Sequence, residues 1–243
     1  MTPRRLALAR TRDTWTRRAR RVWHPVDFWR GWFYDLHSYY RNLGWFEFWA
    51  RYTIERERAS ELHEIAPADF WSRTEFYVLR QMYRHRDASY HEVSATIPGG
   101  GWLLEWGAGV APVTAWMRRH RPDVRCIVAD VPSRTLEFVK WRFRGDQGVR
   151  VITIGEDDDL IATCDAAVCL ETMEHVPSPI ATLQTLLKTL LPGGFLHLDY
   201  EDAQEAGGGN TEGGVRERHQ VLQMLAGLET VIPLATGRGV WRV

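Results

Sequence analysis

The chain has 243 residues, 44% of them hydrophobic, enough to bury a sizeable core in one catalytic domain with an extension. Its 31 basic and 31 acidic side chains cancel, so no global field marks a nucleic-acid or membrane partner, and no run approaches the roughly 18 apolar residues of a membrane span. Three cysteines, Cys126, Cys164 and Cys169, cannot pair completely and read as reduced thiols of a cytoplasmic protein.

From Arg4 to Arg21 there are eight arginines against one acid, Asp13. Trp23, Phe28, Trp29, Trp32, Phe33, Tyr34, Tyr39, Tyr40, Trp45, Phe46, Phe48 and Trp49 follow at high density. Two readings stand side by side. In one, these rings are the packed face of helices that cover the rest of the chain, with arginine stems laid over them. In the other, rings and cations sit at a lipid headgroup layer and give peripheral membrane contact. Nucleic acid is the weaker reading of the arm, because only Lys140 and Lys188 are lysines in the whole chain. A further helical stretch, Phe70 to Tyr83, offers Arg73, Tyr77 and Tyr83 toward whatever site follows.

The next segment is the most specific. Leu103-Leu104-Glu105 reads as a buried strand running into Trp106-Gly107-Ala108-Gly109, and Cys126-Ile127-Val128-Ala129 forms a second strand closed by Asp130. Two glycines let a turn press against a ligand, and an acid at the end of the next strand can accept hydrogen bonds from ribose hydroxyls. Val110-Ala111-Pro112 replaces the third glycine of a dinucleotide turn, and Glu105 would repel a pyrophosphate but suits an ammonium or sulfonium. The stretch resembles motif I of the class I S-adenosylmethionine-dependent methyltransferases. That resemblance implies S-adenosylmethionine held by Glu105, Trp106, Gly107, Ala108, Gly109, Asp130, Val131 and Pro132.

Ser133 is a candidate N-cap for a helix with Leu136, Phe138, Val139 and Phe143 on one face. Val149 to Gly155 reads as a third strand, followed by an acidic loop in which the resemblance implies that Glu156 and Asp157 contact adenine. Asp165 to Leu170 gives a fourth strand, Ser178-Pro179 starts a helix, and Leu191-Pro192-Gly193-Gly194 closes it before a strand from Phe195 to Tyr200. Between them, Glu171-Thr172-Met173-Glu174-His175 leaves the carboxyl end of the fourth strand. Glu171 also falls within the cofactor set.

Glu171, Glu174 and His175 offer two carboxylates and an imidazole, a donor set for Mg²⁺ or Mn²⁺ with Asp199, Glu201 and His219 as further candidates. The rival role is His175 as general base. The string from Leu170 to Pro179 resembles the ubiquinone-biosynthesis O-methyltransferases, and Glu-x-x-Glu-His also resembles the small-RNA 2′-O-methyltransferases. In both, the resemblance implies a metal that holds the acceptor oxygens. His197, inside the fifth strand, reads as a core histidine, and Gly207-Gly208-Gly209 with Gly213-Gly214 as a mobile loop.

The tail, a helix over Glu217 to Leu228 and strands over 228–234 and 240–243, matches the antiparallel pair that ends this family's sheet. The expectation is an α/β, Rossmann-like, doubly wound, mostly parallel seven-stranded sheet with an antiparallel C-terminal strand pair and an N-terminal helical extension. Residues 1–95 are the basic, aromatic extension or lid and 96–243 the cofactor-binding domain, and the chain is expected to stop where that fold stops. The expected activity is O-methylation of a small-molecule, lipid-linked or sugar hydroxyl. The alternative is a noncatalytic scaffold of the same fold that binds a partner through its aromatic arm.

Overall fold

A computed structural model describes residues 32–65, 70–86, 88–155, 163–200, 210–233 and 238–243. The expectations for Arg4 to Trp29, Glu156, Asp157, Glu201 and Gly207 to Gly209 lie outside these residues. The chain divides into two compact units, residues 1–44 and 45–243. In the first, helix α1 (Trp32–Tyr39) ends in a turn where the His37 Nδ1 and the Leu43 carbonyl oxygen lie 3.0 Å apart.

The second unit is built on seven strands: β1 (Trp102–Trp106), β2 (Arg125–Asp130), β3 (Val149–Thr153), β4 (Cys164–Cys169), β5 (Leu190–Asp199), β6 (Glu229–Pro233) and β7 (Arg238–Arg242). Their order across the sheet is β3-β2-β1-β4-β5-β7-β6. β1 to β5 are parallel, and β7 runs antiparallel to both β5 and β6.

Parallel strands covered on both faces are apolar on both faces, and β1 shows it: Leu103 and Leu104, on opposite faces, are both fully buried. Leu104, Ile127, Ala129, Ala167, Leu196 and Leu198 face helices α8 (Pro179–Thr189) and α10 (Arg218–Ala226) through Leu183, Leu186, Val221 and Leu225. Leu103, Cys126, Ala166 and Val168 turn the other way, onto Val93 of α5 (His91–Ala95) and Val113 and Met117 of α6 (Pro112–His120). Helix α7 (Arg134–Arg142) adds Val139 against Val128. Each fully buried Leu or Ile contributes about 1.5–3 kcal/mol relative to exposure. The three cysteines are buried free thiols in β2 and β4, and burial pushes Cys126 and Cys164 up to about 12 and Cys169 higher still.

Helices α2 (Trp45–Ile65), α3 (Phe70–Arg73) and α4 (Phe76–Arg84) precede the sheet. The helix expected over residues 70–83 is broken at Thr74, whose hydroxyl bonds Glu55 and accepts from Phe76 N, taking over what a continuous helix would satisfy internally.

Three further boundaries differ from expectation. Pro192-Gly193-Gly194 lies inside β5, because Leu190 already pairs with Cys164 and Gly193 and Gly194 exchange backbone bonds with Val243. The tail helix expected over residues 217–228 is α10, and a short helix that was not expected, α9 (Glu212–Arg216), precedes it. Gly213 and Gly214 are buried in α9 and are no mobile loop. No described helix is long and apolar enough to cross a membrane.

Candidate functional site

β1 has β2 on one side and β4 on the other, so the chain after β1 and the chain after β4 diverge and leave a crevice at their carboxyl ends, the place where open α/β sheets bind ligands. Gly107 and Gly109 shape one wall, with φ of +64° and +54°. A Cβ would lie 2.2 Å from Thr172 Cγ2 at the first and 2.1 Å from Gln81 Oε1 at the second. Only glycine combines that backbone with that closeness. Trp106 and Ala108 pack inward, whereas Val131 and Pro132 stand exposed at the rim.

Ala111 is left-handed and supplies no side-chain cap, and Pro112 has no N–H, so the start of α6 needs an acceptor from elsewhere. Glu105 supplies it. Its two carboxylate oxygens accept from Val113 N at 3.0 Å and Thr114 N at 2.8 Å, while burial pushes the group up to about 7. Both oxygens of the acid offered as a ligand contact thus anchor the helix start.

Asp130, at the end of β2, accepts from Gly109 N at 2.6 Å through Oδ2 and from Val131 N at 2.7 Å through Oδ1. Burial raises it to about 6. It stands beside the glycine turn, bonded to the Gly109 backbone.

The opposite wall begins at Glu171, whose φ of +50° is costly for a side chain with a Cβ, by about 1–2 kcal/mol. Three contacts hold it. Its N–H donates to Asp199 Oδ1, and both its carboxylate oxygens accept from Arg84 at 2.5 Å, while the Thr172 hydroxyl donates to Leu170 O at 2.9 Å and lies 3.3 Å from Gly107 O. Strain kept in place this way is common at functional sites.

Met173–His175 forms a single 3₁₀ turn that separates the three acid and imidazole groups. Glu171 is half-exposed and gripped by Arg84, Glu174 is 1% exposed, and His175 lies with Nε2 3.7 Å from Glu174 Oε1 and its ring edge-on to Trp71 at 6.1 Å. Among the described residues no three His, Cys, Asp or Glu side chains come together as a metal group. The expected Mg²⁺ or Mn²⁺ set therefore does not fit, because the turn buries one carboxylate and an arginine holds the other. Of the further candidates, Asp199 is bonded to Glu171 N and His219 pairs with Gln223 along α10.

Helix α4 brings in residues that pattern reading passed over. Its apolar face, Val78, Leu79 and Met82, is buried. Gln81 Oε1 accepts from Val110 N at 3.0 Å, Arg84 reaches Glu171, and burial lowers His85, with the nearby Glu171 charge opposing that shift. The signal was present as the polar stripe 81, 84, 85 at helical spacing. Tyr77 and Tyr83, picked out instead, pack among Phe70 and Trp71, and among Phe48 and Trp49. His197 is buried and lies 2.9 Å from Thr96 Oγ1, lowered to about 4 by burial, as a core histidine should be.

A family model described as a methyltransferase domain matches residues 78–229. No curated protein matches the chain. Among solved structures, the chain is similar to the CurJ carbon methyltransferase at 17% identity, covering 79% of this chain and 66% of that one with a TM-score of 0.55. It is similar to a SAM-dependent methyltransferase from Aquifex aeolicus at 14% identity, covering 79% and 96% with a TM-score of 0.44, and to coclaurine N-methyltransferase bound to N-methylheliamine and SAH at 19% identity, covering 43% and 31% with a TM-score of 0.38. The chain spans about half to two thirds of the length of several of the structures it matches.

Proposed function

The chain belongs to the methyltransferase-domain family, a family of enzymes, and from that membership we propose that it moves a methyl group from S-adenosylmethionine to a hydroxyl oxygen of a small-molecule, lipid-linked or sugar acceptor. On this reading residues 96–243 carry the chemistry and helices α2 to α4 cover it. The observation that carries the cofactor is the pairing of a glycine turn at positive φ after β1 with Asp130 at the carboxyl end of the neighbouring β2.

The residues fit the cofactor. Asp130 is an acceptor for ribose hydroxyls beside a turn whose glycines carry no side chains, and Arg84 is a two-nitrogen donor for a carboxylate, occupied in this structure by Glu171. When bound, S-adenosylmethionine supplies a methyl carbon activated by its sulfonium.

The chain's own part is to orient the acceptor and remove its proton. His175, on the turn after β4, takes the hydroxyl proton on an imidazole nitrogen, with the Glu174 carboxylate 3.7 Å away where positive charge then develops. Glu171 and Glu174 shape the turn without forming a metal group, and no step here runs through a metal.

The test is calorimetry with S-adenosylhomocysteine, followed by methyl transfer from labelled S-adenosylmethionine to a panel of hydroxylated, amine and carbon-acid acceptors. Binding with label on oxygen supports the proposal. Label on nitrogen or carbon would overturn the choice of acceptor atom.

A further inference from the structure

Segment 211–217 is sewn to the turn that carries His175. Thr211 N donates to Glu174 O at 2.9 Å, and Thr211 Oγ1 donates to Val176 O at 2.6 Å while accepting from Gly214 N at 2.8 Å. One residue thereby ties down the backbone immediately before and immediately after His175.

The approach is as close as backbones allow. A Cβ at Gly213 would lie 1.9 Å from Pro177 O, and one at Gly214 would lie 2.1 Å from Glu174 O. Tyr200 donates its hydroxyl to Gly214 O, and Ile180 N donates to Glu217 Oε2 at 3.1 Å, so the clamp is fixed at both ends. The turn has little to hold itself with: it is three residues of 3₁₀ helix with no side-chain cap.

We propose that Thr211 is a positioning residue that sets where the His175 imidazole sits relative to the acceptor, with Gly213 and Gly214 permitting the contact. This rests on the reading of His175 as the proton acceptor. Thr211 acts through the turn and touches no substrate itself. Its bonds go to Glu174 O, Val176 O and Gly214 N and none goes to the glycine turn or Asp130, so cofactor binding is expected to be independent of it.

The test uses the full chain with ¹³C-labelled histidine, the His175 ring signals being assigned by their loss in His175→Gln. Thr211→Val keeps the shape and removes the hydroxyl, and Thr211→Ser keeps the hydroxyl. In Thr211→Val the His175 signals and their pH titration move, S-adenosylhomocysteine affinity stays within about twofold, and methyl transfer falls by about 100-fold, the scale of a 1 Å misplacement. In Thr211→Ser all three stay at the parent values. Thr211→Ala is read in the same way if the valine variant does not fold. An unmoved His175 titration in a folded valine or alanine variant overturns the proposal. Failure of the parent protein to bind S-adenosylhomocysteine would sink the methyl-transfer reading and leave the resonance comparison standing on its own.

Discussion

Asp130 sits near 6 because burial disfavours its charge while two backbone N–H groups hold it. A ribose hydroxyl donates only to the ionised carboxylate at full strength, so S-adenosylhomocysteine affinity should rise as pH passes upward through about 6. Asp130→Asn should lower that affinity on the order of 10- to 100-fold, the range of a charged hydrogen bond, and flatten its pH dependence in calorimetry.

Glu105 makes a stability prediction instead. Its folded value of about 7 lies above the usual 4.5, so the folded state keeps a proton that the unfolded chain releases, and stability falls as pH rises across that window. Thermal melts from pH 4.5 to 7 should show this fall, and Glu105→Gln should reduce it. His175→Ala should cut methyl transfer by about 10² to 10⁴, leaving S-adenosylhomocysteine affinity within about twofold. Equal loss of turnover and affinity would remove His175 from the chemistry.

Helix α4 is the element whose role was least visible beforehand. Its buried stripe declares a packed helix, but which wall its polar stripe meets depends on how the chain folds back over β1 and β4, which no local pattern encodes. Arg84→Ala should cost at most about 1 kcal/mol, since the pair is half-exposed. It should instead raise amide exchange across residues 76–84 and weaken S-adenosylhomocysteine binding; unchanged exchange would mean that the ion pair does not hold the helix. The strands were easier to read than the caps. β1 and β2 announce themselves by apolar runs, Ser133 accepts from Leu136 N as an N-cap should, but Ser178 occupies its cap position with no side-chain bond. The metal expectation failed for a reason of the same kind. Spacing placed Glu171, Glu174 and His175 together in the chain, and a left-handed residue followed by a 3₁₀ turn sends them to different environments.

Across the whole unit, the sheet order puts the carboxyl ends of β1 and β4 side by side, and the site is built from the segments leaving those two strands and β2, together with helix α4. Alternating strand and helix patterns made that architecture legible, and the antiparallel β7 followed from the tail's turn residues. The central claim is that this crevice holds an adenosyl ligand through Asp130. Calorimetric titration of the full chain with S-adenosylhomocysteine, run from about pH 5 to pH 8 on the parent and on Asp130→Asn, tests it most directly. The account predicts binding by the parent that tightens through about pH 6 and a weaker, pH-flat titration for the variant. No heat of binding in the parent, or identical curves for the two proteins, would contradict it.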